Sequence, residues 1–123
     1  MAYKDFTEMP VWQKAFNLLI EIYRLSKSFP KEEKYGMISD IRRSANSVTH
    51  NIAEGFGRYE KRDKTRFYKI SRGSAYEIIS QTLVSFALNF IKIDDKENLV
   101  NGYSKVIDEL DSMIKSIENR KTP

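Results

Sequence analysis

The chain has 123 residues, 41% of them hydrophobic and none cysteine, with a formal net charge of +4. That length and apolar content suit one domain with a single core spanning residues 1–123, and the missing thiols remove disulfides, thiolate metal sites and cysteine nucleophiles. The amino-terminal Met1-Ala2-Tyr3-Lys4-Asp5-Phe6 holds no apolar signal core, and no stretch approaches the ~18 consecutive apolar residues of a membrane span. A cytoplasmic chain without membrane contact is therefore expected.

Proline occurs only at positions 10, 30 and 123, so long helices can run between them. The first predicted helix covers about residues 9–28, with Val11, Ala15, Leu18, Ile22, Leu25 and Phe29 recurring at intervals of four and three. Such a seam packs in near-parallel bundles, and the Phe29-Pro30 step ends it. The second, about 32–57, carries Ile38, Ile41, Ala45, Val48 and Ile52 at the same spacing, with Gly55 and Gly57 read as its closing punctuation.

The third predicted helix, about 62–92, is basic and aromatic in its first half. Residues 78–93 then hold ten apolar residues out of sixteen and one charge, Lys92. A helix apolar on nearly every face needs more partners than a lone bundle supplies, which predicts a homo-oligomer. The fourth, about 95–120, opens with Asp94 and Glu97 spaced as a capping box. It shows two seams, one through Leu99, Tyr103, Val106, Leu110, Met113 and Ile117, the other through Val100, Ile107 and Ile114. Short connections between long helices predict an all-α, antiparallel up-down four-helix bundle.

Charge is concentrated. Arg58, Lys61, Arg62, Lys64, Arg66, Lys69 and Arg72 face only Glu60 and Asp63 within one segment, a local +5, so the rest of the chain sums to −1. Clustered Lys and Arg attract phosphate backbones, and Phe56, Tyr59 and Tyr68 offer rings for unpaired bases. A solvated helix start is the plainer alternative.

On a helical wheel the second helix gathers Arg43, Asn46, Ser47, His50, Asn51 and Glu54 opposite its apolar stripe. Asn, Ser and His are mediocre helix formers, and short hydrogen-bonding side chains suit a face that meets a neighbouring subunit or a ligand, although simple hydration is also compatible. Gly73 in mid-helix costs ~1 kcal/mol relative to alanine, which is understandable if another backbone passes close by. Glu77 is placed to pair with Arg42 or Arg43 across a helix contact.

His50 is the only histidine, and six residues separate it from Arg43, a loose match to the signature of HEPN-class ribonucleases, an Arg and a His separated by four to six residues. One histidine without cysteine argues against a metal, and no cofactor is expected.

Several runs occur in a recognisable order: Val11-Trp12-Gln13-Lys14-Ala15, Phe29-Pro30 with Glu33, Arg42-Arg43, Asn51-Ile52-Ala53-Glu54-Gly55 and Gly73-Ser74-Ala75-Tyr76-Glu77. Together they make roughly residues 8–93 resemble the 23S rRNA intervening-sequence protein family of small bacterial four-helix-bundle proteins. The resemblance implies a ring of five subunits. It also implies kinship with the accessory protein of diversity-generating retroelements, a basic pentameric barrel that binds nucleic acid and a reverse transcriptase. Arg42, Arg43, Asn51, Glu54, Gly55, Gly73, Ser74 and Glu77 match its fixed motif, which the resemblance assigns to structure or assembly rather than catalysis. Where relatives commonly place a capping serine before the third helix, this chain has Tyr59-Glu60-Lys61-Arg62-Asp63.

The resulting expectation is a non-catalytic, oligomeric nucleic-acid binder, RNA favoured, acting through Arg58, Lys61, Arg62, Lys64, Arg66, Lys69 and Arg72. The alternatives are an oligomeric scaffold that recruits a protein such as a reverse transcriptase, and a HEPN-like ribonuclease.

Overall fold

A computed structural model describes residues 3–120. A single 3-10 turn, Phe6–Glu8, leads into helix α1 (Pro10–Ser26); a second such turn, Lys31–Glu33, precedes α2 (Met37–Phe56); α3 (Lys61–Ala87) and α4 (Ile93–Glu118) follow. No strand occurs among the described residues.

Local chemistry accounts for most of the ends. Pro10 occupies the first turn of α1, where its missing N–H would have had no partner. The Glu33 carboxylate accepts the Met37 N–H at 3.1 Å, so α2 is capped from outside and begins at Met37 rather than near the expected residue 32. α3 stops at Ala87 instead of continuing to 92. Asn89 adopts a positive φ of 65°. The Asn89 N–H then bonds the Phe86 carbonyl at 3.0 Å and the Phe90 N–H bonds the Ser85 carbonyl at 2.8 Å, the Schellman closure. α4 starts at Ile93 after Lys92, with no side-chain cap, so Asp94 and Glu97 do not form the expected box.

Each consecutive helix pair runs antiparallel. Arg42 Nε donates to Ser26 Oγ at 2.8 Å while Asn46 donates to the Tyr23 hydroxyl at 2.9 Å, so α1 descends as α2 climbs. Between α3 and α4, Lys69 pairs with Glu118 and Arg72 with Asp111, both at 2.5 Å; Lys14 joins Glu109 across the α1–α4 seam at 2.5 Å. α1 contacts α2 and α4, α3 contacts the same two, and α1 and α3 stand at opposite corners. The common core includes Val11, Ile22, Ile41, Val48, Ile52, Ile78, Tyr103, Val106 and Leu110. Both α4 seams are largely spent inside it, since Ile107 and Ile114 are buried along with the first row. The doubled stripe, which by its spacing suggests packing on two sides, is thus accounted for mostly within the chain.

α3 is unusual in what it hides. Its buried residues are mainly small or hydroxylated, among them Thr65, Ser71, Ser74, Ala75, Thr82 and Ser85. Such side chains allow close approach to α2: the Ser71 hydroxyl donates to the Val48 carbonyl at 2.8 Å, and the Ser47 and Ser74 hydroxyls meet at 2.7 Å. Gly55 is the tightest point. It lies inside α2 rather than at its end, and a Cβ there would come within 2.6 Å of Tyr68 Cε1. Gly57 does follow α2, in ordinary right-handed geometry.

Two stability measurements test this packing. Gly55→Ala should cost about 1–3 kcal/mol in chemical denaturation, because the Tyr68 ring cannot move without disturbing the core; combined with Tyr68→Leu, it should cost less than the two single changes together. Tyr103 is fully buried and its hydroxyl has no partner among the described residues. Burial raises its pKa well above the ordinary tyrosine range. Tyr103→Phe should therefore leave stability within about 0.5 kcal/mol or increase it, since it removes a desolvated group rather than a hydrogen bond.

Candidate nucleic-acid interface

The basic segment forms the turn after α2 and the first three turns of α3, and the fold neutralises much of it. Arg58 reaches Glu54 at 2.9 Å, Arg66 lies 3.9 Å from Asp63, and Lys69 and Arg72 are bound to α4. These pairs are partly exposed, so each is worth at most ~1 kcal/mol. Arg58 and Arg66 also lie over the Phe67 ring, at 4.6 and 4.4 Å from its centre.

Lys64 has a different task. Its ammonium donates to the Gly55 and Phe56 carbonyls at 3.2 and 2.8 Å, closing the carboxyl end of α2 where free carbonyls concentrate negative charge. Burial, and after it the charge of Arg120, lowers its pKa below the usual lysine value. Of the seven cations, Lys61 and Arg62 alone have no acidic or carbonyl partner among the described residues. Arg120, which the expected set omitted, joins them from the end of α4, along a cleft that also includes Thr65 and Glu118. Its signal in the sequence is weak: one arginine at the predicted end of the fourth helix, brought near Lys61 only by the antiparallel return of α4.

Beside these cations runs a groove of about 880 Å³ between the α2–α3 corner and the last turns of α4. Phe56, half-buried against the core, and the exposed Tyr59 line it. Tyr68 contributes only an edge, because its ring is 97% covered and fills the space above Gly55.

The motif residues divide into several groups. Asn51 donates to the Ser47 carbonyl at 2.8 Å and the Ser47 hydroxyl at 3.0 Å, so this part of the polar α2 face is used inside the chain, beside Ser74. Arg42 is held by Ser26 and by the Tyr23 ring, 4.5 Å away, and Arg43 by Asp40 at 3.0 Å. Glu77 is exposed and pairs with neither arginine. Gly73 also faces outward, with nothing within 4 Å of where its Cβ would sit, so no backbone of the same chain explains it. His50 is exposed, and Arg43, its partner in the ribonuclease pattern, is engaged with Asp40. Among the described residues no group of three His, Cys, Asp or Glu side chains is placed to hold a metal, and no helix is long and apolar enough to cross a membrane.

These features define a small antiparallel four-helix-bundle protein with a cationic and aromatic end. The chain belongs to the 23S rRNA-intervening sequence protein family, whose model matches residues 7–116. A crystal structure of a protein with unknown function, from the S23 ribosomal protein family of Bacteroides thetaiotaomicron, shares the fold. Its TM-score is 0.79 at 23% identity, over 85% of this chain and 98% of that one. No curated protein sequence matches significantly.

The division between free and engaged cations has a measurable consequence. With a single-stranded RNA, Lys61→Gln with Arg62→Gln should reduce the slope of log affinity against log salt by about 1.4, some 0.7 for each lost phosphate contact. Lys69→Gln with Arg72→Gln should change it by less than half as much, since those cations enter the complex already paired.

Proposed function

We propose that the protein is a self-assembling, non-catalytic bundle that binds nucleic acid, RNA in preference, on the cationic half of α3. The observation that carries this reading is the split outer face of that helix. Arg62, Arg66 and Lys69 occupy its first half; Tyr76, Leu83 and Val84 occupy its second, with Leu88 just past its end, and Leu83, Val84 and Leu88 are 47%, 44% and 55% exposed while small residues of the same helix are buried. Copies arranged in a ring so as to cover the apolar half bring their cationic halves to one rim, where the fields add and a strand can touch several subunits.

A second apolar stripe supports a ring. Phe16, Ile20 and Tyr23 are exposed at helical spacing on α1, at the corner of the bundle opposite α3. A two-fold dimer built on either face would leave the other wet. Joining the α3 face of one copy to the α1 face of the next uses both, and such head-to-tail contacts close into rings when the rotation per step allows, consistent with the five subunits the family suggests. Gly73, exposed beside the apolar patch, then provides room for a neighbour's side chains. The family's description, which names 23S rRNA, supports RNA as the nucleic acid. The absence of catalysis is supported by the isolation of His50 and the engagement of Arg43.

A scaffold that recruits another protein is the second reading, favoured by the outer edge of α2, where Arg43, His50 and Glu54 are exposed. Capture of a partner that persists after nuclease treatment distinguishes it.

Light scattering tests the main reading. At micromolar concentration the protein should exceed the 14.4 kDa of one chain severalfold. Leu83→Glu with Val84→Glu should give single chains that remain helical and lose at least ~10-fold in RNA affinity through lost avidity. A wild-type protein that runs as one chain, or dissociated chains that bind RNA undiminished, refutes it.

A further inference from the structure

The groove at the α2–α3 end combines two properties that rarely meet by accident. It is lined by three cations, Lys61, Lys64 and Arg120, and by no carboxylate; Glu118, in the adjoining cleft that shares Lys61 and Arg120, is paired with Lys69. Its walls are otherwise apolar or aromatic, with Phe56 and Met113 among them, and Ser112 and Ser116 present hydroxyls one turn apart on α4. Lys64 is fixed against the α2 carbonyls. Lys61 and Arg120 are left facing water without an acidic partner among the described residues.

Tyr59 stands at the rim with 98% of its surface exposed. A large ring held in water on a short turn between two helices contributes nothing to the fold, yet gives a flat π surface next to positive charge. A ligand that satisfies all of these groups has a planar aromatic part, a polar edge within reach of hydroxyls, and an anion attached to it. That is the chemistry of a nucleotide.

We infer that the groove seats one unpaired nucleotide of an RNA strand, with its base on Tyr59 and Phe56, its polar edge toward Ser112 and Ser116, and its phosphate taken by Lys61 and Arg120. The inference rests on the nucleic-acid reading above and locates it: the α3 face attracts the strand without regard to pairing, and the groove selects for a base free of a partner strand. A paired base keeps both faces in its stack and has none to offer Tyr59.

Fluorescence anisotropy with two RNA duplexes of the same sequence, one blunt and one with a short single-stranded overhang, tests it on the intact protein. The overhang duplex should bind about tenfold more tightly, the scale of one base–aromatic stack. Tyr59→Ala, which removes no core contact, should abolish that preference while leaving the blunt duplex within about twofold. Arg120→Gln should weaken the overhang duplex more than the blunt one, and adenosine monophosphate should compete with the overhang alone.

Equal binding of the two duplexes by the unaltered protein, or a preference that survives Tyr59→Ala, overturns the groove assignment and leaves the general affinity for RNA standing. Failure to bind either duplex at low salt removes both. Tyr59-dependent saturation by adenosine monophosphate without any overhang preference assigns the groove to a free nucleotide and rejects the strand.

Discussion

The close approach of α3 to α2 determines much else in this molecule. Two helices can come together so tightly only where their facing side chains are small, and Ser44, Ser47, Gly55, Ser71, Ser74 and Ala75 supply that surface. The hydroxyls find partners across the seam, as between Ser71 and Val48, so the contact is specific in register as well as short. A helix that turns its small residues inward has to place its larger apolar residues elsewhere. In α3 Ile78 and Tyr68 still enter the core, but Ile70, Tyr76, Leu83 and Val84 face water, and the hydrophobic effect their burial would supply remains available for association.

Much of the architecture was legible in the sequence because helical periodicity is a strong signal. The stripes of α1 and α2 are the stripes that pack, from Val11 to Leu25 and from Ile41 to Ile52. The ends were harder to read. Asn89 adopts a left-handed conformation that asparagine tolerates but does not announce, and the apolar pattern continues past the true close of α3. Gly55 looked like a terminator because glycine often ends helices; its reason is instead Tyr68, thirteen residues away and across a turn, which no local pattern reveals. Gly102, which no local signal singled out, has a similar neighbour in Leu18 of α1.

The basic segment shows what composition cannot convey. Seven cations in fifteen residues look like an open patch. Folding brings Glu118 and Asp111 from the far end of the chain against two of them and turns Lys64 inward as a clamp on α2. What stays free is smaller and has moved toward the tip of the bundle, where Arg120 arrives from α4. Long-range pairing of this kind depends on the antiparallel return of the last helix, and is invisible until the topology is known.

The bonds that tie α3 to α4 also bear on how long any polyanion would stay. Under the proposed function, a phosphate gains Lys69 or Arg72 only by evicting Glu118 or Asp111, and the evicted carboxylate remains nearby to reclaim its place. Each such exchange trades one partly exposed ion pair for another at little net free energy, so contact would be quick to form and quick to break. A surface built this way favours sliding and turnover over capture, in the manner of a bearing rather than a clasp.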